Sequence, residues 1–275
     1  MPSDIDVSSP TALCDLIRGD GPLLLNVPHA GLVLPPEVAE ALRPEAAGLR
    51  DTDWHMDRIA REVRPVGASL MVARVSRYAA DLNRPRDDTP LYDSATTGLI
   101  STIDFDGAPL YRDGAAPDAA ARAARVSAYW TPYHAALTDE IARIRAAHGY
   151  CLLLDLHSIR SRVPRLFDGR LPDLNLGTNS GASCAPGLAR AAHAAIEGHG
   201  LSVVRDGRFK GGYITRHYGT PDRHVHALQI EIAQEVYMQE TPPWTYLPEK
   251  AARLTGALGA LIAAMAAFSP EREDG

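Results

Sequence analysis

Two histidines and a glutamate in this chain stand where apolar runs give out, the positions at which a strand presents side chains to a ligand. His29 follows Leu-Leu-Leu-Asn-Val at 23–27 and Pro28. Asp155 and His157 close the run that begins at Cys151, and Glu231 ends or directly follows His-Ala-Leu-Gln-Ile at 226–230. Imidazole and carboxylate are the ligands zinc takes when one coordination position stays open for water. The chemistry this allows is metal-assisted hydrolysis. Asp155 and His157 are two residues apart, so a strand puts both on one face. There the carboxylate either steadies a metal-bound imidazole or bonds a backbone group. Burying Glu231 without a partner would be costly, so it belongs to a site or to a polar face.

A second group of residues suits anions. Arg84, in Asp-Leu-Asn-Arg at 81–84, can grip a carboxylate with its fork while Asn83 donates an amide hydrogen. The same stretch, with Arg77, Arg86 and Asp87 nearby, also reads as a salt-bridged turn. Gly211 and Gly212, beside Lys210, either let the backbone approach a ligand or make a plain turn.

The elements that must position these residues alternate between strand and helix, which is the pattern of an α/β fold. Short apolar runs predict strands at 23–27, 68–75, 151–157, 201–204 and 225–232. Helical patterns run from Pro35-Pro36, from 52 to 63 with Asp51 or Thr52 as cap, and from 117 to 147 with an interruption near Thr131-Pro132. Two more cover 185–197, capped by Ser183, and the stretch from Pro248 to about residue 268. Between them, 81–116 and 160–182 read as irregular, and irregular segments of that length are usually functional. No repeat, linker or composition break divides the sequence, so one domain over 1–275 is expected.

Composition excludes several classes. The net charge is −6, and no basic cluster with interleaved aromatics is present, which argues against nucleic acid as a partner. The longest apolar stretch, 256–268, is shorter than the ~20 residues that cross a membrane. The first ten residues lack the basic start and apolar core of a signal peptide. Cys14, Cys151 and Cys184 are odd in number and far apart, so reduced thiols in a cytoplasmic protein are expected. The chain has 26 Arg, two Lys and 43 Ala. Arginine abundance is therefore a compositional habit, and only position singles out Arg77, Arg84 and Arg216.

The motifs form an ordered series. Asn-Val-Pro-His-Ala-Gly at 26–31, Asp-Thr-Asp-Trp at 51–54 and Ser-Arg-Tyr-Ala-Ala-Asp-Leu-Asn-Arg at 76–84 open it. Pro-Tyr-His at 132–134, Asp-Leu-His-Ser at 155–158, Phe-Lys-Gly-Gly-Tyr-Ile-Thr-Arg at 209–216 and His-Ala-Leu-Gln-Ile-Glu at 226–231 continue it. Over about residues 22–250 the series resembles the N-formylglutamate amidohydrolase (deformylase) family, related to zinc carboxypeptidases and aspartoacylases.

The resemblance implies a three-layer α/β/α sandwich with a mixed, mostly parallel central sheet. It implies a zinc-dependent amidohydrolase, with one Zn²⁺ per chain, that cleaves N-formyl-L-glutamate to formate and glutamate in histidine degradation. By the same analogy His29 and His157 bind zinc, Glu231 acts as general base, and Asn83 with Arg84 holds a substrate carboxylate. The relatives' first motif carries an acidic ligand three positions after the histidine, where this chain has Leu32. Asp53 is the expected replacement and Asp51 the alternative. Arg77, Arg216 and Lys210 compete for the second carboxylate of a small anionic N-acyl amino acid. The rival readings are a hydrolase of another N-acyl or N-formyl amino acid or small formamide, and a non-catalytic protein that binds an acidic small molecule.

Overall fold

The computed structural model describes residues 13–91 and 95–270. The reading of the first ten residues concerns a segment outside them. Among the described residues seven strands form one sheet: β1 (Cys14–Ile17), β2 (Leu23–Val27), β3 (Ser69–Ala73), β4 (Cys151–Ile159), β5 (Leu174–Gly177), β6 (Val203–Arg205) and β7 (Val225–Ala233). Their order is β1-β3-β2-β4-β7-β5-β6. The pairings β3–β2, β2–β4, β4–β7 and β5–β6 are parallel, while β1–β3 and β7–β5 are antiparallel. The sheet is thus mixed and mostly parallel. Every residue of β2, β4 and β7 is buried, because helices cover both faces and continuous apolar runs are what such strands require.

Among the described residues seven α-helices follow in chain order: α1 (Pro36–Ala41), α2 (Met56–Val63), α3 (Ala119–Arg125), α4 (Thr131–His148), α5 (Pro186–Ile196), α6 (Tyr213–Tyr218) and α7 (Pro248–Ala266). One face of the sheet packs Leu23, Leu25, Leu154 and Leu228 against α2, α5 and α7. The opposite face packs Leu24, Leu153 and Ala227 against Leu137 and Ile144 of α4 and Ile214 of α6. Asn26, Asp155, His157 and Glu231 follow the parity of Leu24, Leu153 and Ala227, so they project toward the α4 and α6 side. Among the described residues, no helix is long and apolar enough to cross a membrane.

Several sequence expectations need correction. The second helix starts at Met56, not at residue 52, and neither Asp51 nor Thr52 caps it. The Asp51 and Asp53 carboxylates instead turn to the Phe105 and Ser158 amide hydrogens, and His55 occupies the N-cap position of the helix. Ser183 is not the cap of α5, because its hydroxyl donates to the Ala227 carbonyl. The irregular stretch 160–182 contains β5, and both β1 and α6 escape the periodicity reading. The interruption near Thr131-Pro132 is real. A single π-helical turn, Val126–Trp130, joins α3 to α4 and puts Pro132 in the first turn of the new helix.

Candidate metal centre and substrate cavity

Parallel strands deliver their carboxyl ends to one edge, where ligand sites in open α/β sheets are found. His29 lies just past β2. His157 lies in β4 directly opposite Glu231 of β7, and Asp155 lies opposite Gln229. Asp53 comes from the turn before α2, tied by its backbone N–H to the His29 carbonyl at 3.0 Å. His29, Asp53 and His157 are all buried, and one ligand atom from each lies within 4.8 Å of the others. Asp53 Oδ2 is 3.2 Å from His157 Nδ1 and 3.8 Å from His29 Nδ1. Tetrahedral zinc with bonds of about 2.0–2.1 Å sets its ligand atoms about 3.3 Å apart. His29 Nδ1 is buried and has no hydrogen-bond partner, so the donor set fits a divalent cation. Asp51, the alternative ligand, is not part of this group.

The outer nitrogen of each imidazole is also held. His29 Nε2 is 2.8 Å from Asp81 Oδ1, and His157 Nε2 is 2.8 Å from Asp155 Oδ2. A ring nitrogen bound to a carboxylate carries the proton, so Nδ1 of His29 is a lone-pair donor as it stands, and Nδ1 of His157 becomes one when the proton it shares with Asp53 is lost. The support extends inward from Asp155. Asn26 Nδ2 donates to Asp155 Oδ1 at 2.7 Å, and the Tyr133 hydroxyl donates to Asn26 Oδ1 at 2.7 Å. Sequence reasoning weighed Asp155 in this role and missed Asp81. The available signal was Arg77 four residues before it, since Arg77 Nη2 pairs with Asp81 Oδ2 at 2.7 Å.

Charge at the site is set by these pairs. Burial disfavours a charged His157, but the adjoining Asp155 and Asp53 carboxylates outweigh it and raise its pKa well above the usual imidazole range. A cation bound at Nδ1 must therefore displace a proton. Burial and the Arg77 charge together lower the pKa of His29. Burial opposes ionisation of Asp81 too, yet Arg77 and Arg84 hold its pKa well below the carboxylate norm. Burial pushes Glu231 up to about 8, and a cation in the adjacent cluster would pull it back down.

Glu231, His29 and His157 line a small cavity of about 60 Å³, together with Arg77, Asn83, Arg84, Thr96, Thr97, Phe105, Arg208, Phe209 and Gly212. Arg84 donates from Nε to the Thr97 carbonyl at 2.7 Å and from Nη2 to Thr96 Oγ1 at 3.1 Å. Asn83 Oδ1 accepts the Ile214 N–H, and its Nδ2 lies 3.0 Å from His157 Nε2. The glycine pair serves that amide. A Cβ on Gly212 would sit 2.2 Å from Asn83 Nδ2, while Gly211 adopts φ +117°. Its close approach is thus to a side chain of the chain itself. Lys210 is exposed, Arg216 Nε turns back to the Gly211 carbonyl, and neither lines the cavity. Arg208 does line it, and no sequence pattern marked it beyond its place before Phe209.

A mixed sheet covered on both faces, with a His–Asp–His group and a glutamate at the ends of its parallel strands, defines an α/β protein with a metal-competent centre. The N-formylglutamate amidohydrolase family model matches residues 21–238, and the chain belongs to that family. It is 52% identical over 258 residues to the N-formylglutamate deformylase of Pseudomonas aeruginosa, covering 93% of this chain and 96% of the relative. Identity to the Pseudomonas putida protein of the same name is 49% over 256 residues, covering 93% and 96%. The crystal structure of an N-formylglutamate amidohydrolase from Ralstonia eutropha superposes with a TM-score of 0.78 at 29% identity, covering 92% of this chain and 97% of the other. A gene product from Agrobacterium tumefaciens shares the fold with a TM-score of 0.71 at 23% identity, over 92% and 94% of the two chains.

Proposed function

We propose that this chain is a zinc-dependent amidohydrolase that cleaves N-formyl-L-glutamate to formate and L-glutamate. The observation that carries the reading is the buried His29–Asp53–His157 group beside Glu231 in a cavity that also holds Arg84. Relatives named for this activity, similar over nearly the whole chain, support the choice of substrate. His29, Asp53 and His157 would hold the ion, which when bound polarises a carbonyl and acidifies water. Arg84 binds the α-carboxylate of the substrate, beside Asn83. Glu231 takes the proton of the attacking water as its oxygen bonds to the formyl carbon. The same proton passes to the amide nitrogen as the C–N bond breaks, and glutamate leaves as the free amine. Arg77, tied to Asp81 and near Asp53, keeps the two inner carboxylates charged.

We infer one catalytic domain over 1–275 and a cytoplasmic enzyme in histidine degradation. The three thiols Cys14, Cys151 and Cys184 support a reducing setting.

Formate release from N-formyl-L-glutamate by the purified, zinc-loaded protein tests the reading. Glu231→Gln should retain metal yet lose about 10²–10⁴ in kcat, the usual contribution of general acid–base catalysis. A variant within a few-fold of wild type would remove Glu231 from the mechanism. Wild-type protein that binds zinc and releases no formate would overturn the function.

A further inference from the structure

A strand fixes the backbone of Glu231, yet a glutamate side chain still turns about several single bonds. Gln229 precedes it by two residues on β7, so both side chains project from the same face. Both are buried and both line the cavity. Gln229 Oε1 accepts the Gly212 N–H at 2.7 Å, and Gln229 Nε2 donates to Glu231 Oε2 at 3.2 Å. The first bond settles the sense of the second. A backbone N–H can only donate, so the amide oxygen must face Gly212 and the NH2 group is turned to the glutamate. Among the described residues, no other side chain donates a hydrogen bond to that carboxylate.

The backbone at 210–212 comes this close because β5 offers no side chain there. Gly177 pairs with Gln229 across the sheet, and a Cβ on it would sit 2.7 Å from the Gly211 nitrogen and 2.8 Å from the Lys210 carbonyl carbon. The Glu231 backbone is tied on the same side, where its carbonyl accepts Asn175 Nδ2 at 3.1 Å. A neutral amide can hold one carboxylate oxygen without forming an ion pair that would compete for it, as a guanidinium in that place would.

We propose that Gln229 is a positioning residue for the general base: pinned to the Gly212 backbone, it holds Oε2 of Glu231 and leaves Oε1 to take the proton of the attacking water. This rests on the hydrolase reading above. The test uses zinc-loaded Gln229→Met, which keeps the length of the side chain and removes both hydrogen bonds, alone and combined with Glu231→Gln. Alone, it should lower kcat on N-formyl-L-glutamate about 10- to 100-fold with KM within about twofold, as expected for losing a hydrogen bond to a charged group that acts on the chemical step. In the Glu231→Gln background the same substitution should cost less than about twofold, because a residue that acts through Glu231 has nothing left to orient. Melting temperature and zinc content check the fold. Gln229→Asn, one methylene too short to span both partners, should lose kcat in the same way and serves in the same cycle if the methionine variant does not fold. A folded variant with wild-type kcat overturns the assignment. So does an equal loss with and without Glu231→Gln, the result that a merely structural role would give. Wild-type protein that releases no formate would bring down the hydrolase reading and this assignment together. Active wild type with either of the two overturning results would bring down this assignment alone.

Discussion

His157 is held at both ring nitrogens, and the two holds do different things. Asp155 on Nε2 fixes the proton and the plane of the ring, which leaves Nδ1 to face Asp53 across 3.2 Å. Behind Asp155 stand Asn26 and Tyr133, each buried and each donating one bond of 2.7 Å toward the site. Their order predicts graded losses. Asp155→Asn should weaken zinc binding about 10- to 100-fold, the usual effect of removing a carboxylate behind a metal-bound imidazole. Tyr133→Phe removes one neutral hydrogen bond two steps further out, worth about 1 kcal/mol, and should cost about fivefold. Competition against a chromophoric chelator measures both affinities. An Asp155→Asn affinity equal to wild type would mean that the ring is fixed by packing alone.

At the scale of elements, what was legible in the sequence tracks how much of each element's identity is local. β2, β4 and β7 announce themselves as apolar runs, and α4 and α7 carry enough turns for a helical pattern to show. β5 is four residues, Leu-Asn-Leu-Gly, and becomes a strand because β7 and β6 pair with it on either side. α6 is Tyr-Ile-Thr-Arg-His-Tyr, in which all but the arginine are poor helix formers, and its first turn is secured from outside by Asn83 Oδ1 on the Ile214 N–H. The site followed the same rule. His29, His157 and Glu231 could be found because strand ends are visible, whereas the contact that ties Asp81 to the site is with His29, 52 residues away. One helix contact makes a separate prediction. Glu140 on α4 accepts Ser69 Oγ from β3 at 2.6 Å and Arg143 Nη2 at 2.7 Å, and Arg18 Nε lies 3.2 Å away. Burial raises its pKa, but these partners outweigh burial and hold it below the ordinary 4.5. A carboxyl depressed on folding adds stability above its unfolded value, and that stability is lost as pH falls through the folded one. Glu140→Gln should therefore lower the melting temperature at pH 7 and flatten its decline below about pH 4.5. An unchanged acid limb would exclude this helix–sheet contact as its source.

At the scale of the whole molecule, the candidate metal centre joins parts that are far apart in the chain. Its three residues come from just past β2, the turn before α2 and the C-terminal part of β4, and Asp81 adds the long irregular segment. An ion that binds only the folded arrangement stabilises the whole, by about 2.7 kcal/mol at a hundred times its dissociation constant. Chelation should then lower the melting temperature by roughly 5–10 °C for a domain of this size, and added zinc should restore it. Calorimetry of the stripped and reloaded protein reads this directly. A melting point indifferent to chelator would mean that the His–Asp–His group is a hydrogen-bonded cluster and not a metal centre.

The π-helical turn at Val126–Trp130 gives the molecule a phase constraint. Ahead of it, Arg122 donates to Asp88 and the Ile100 carbonyl, and Arg125 to the Tyr111 hydroxyl. Behind it, Tyr133 reaches Asn26, while His134 Nε2 sits 2.9 Å from the Leu82 carbonyl. In an unbroken α-helix each residue advances the azimuth by about 100°. Deleting one residue from the turn would rotate one set of anchors out of alignment while the other stayed in place. The spacing between Arg125 and Tyr133 is therefore a gear ratio between the outer loop and the wall behind the His–Asp–His group, set by a count of residues and not by their identities.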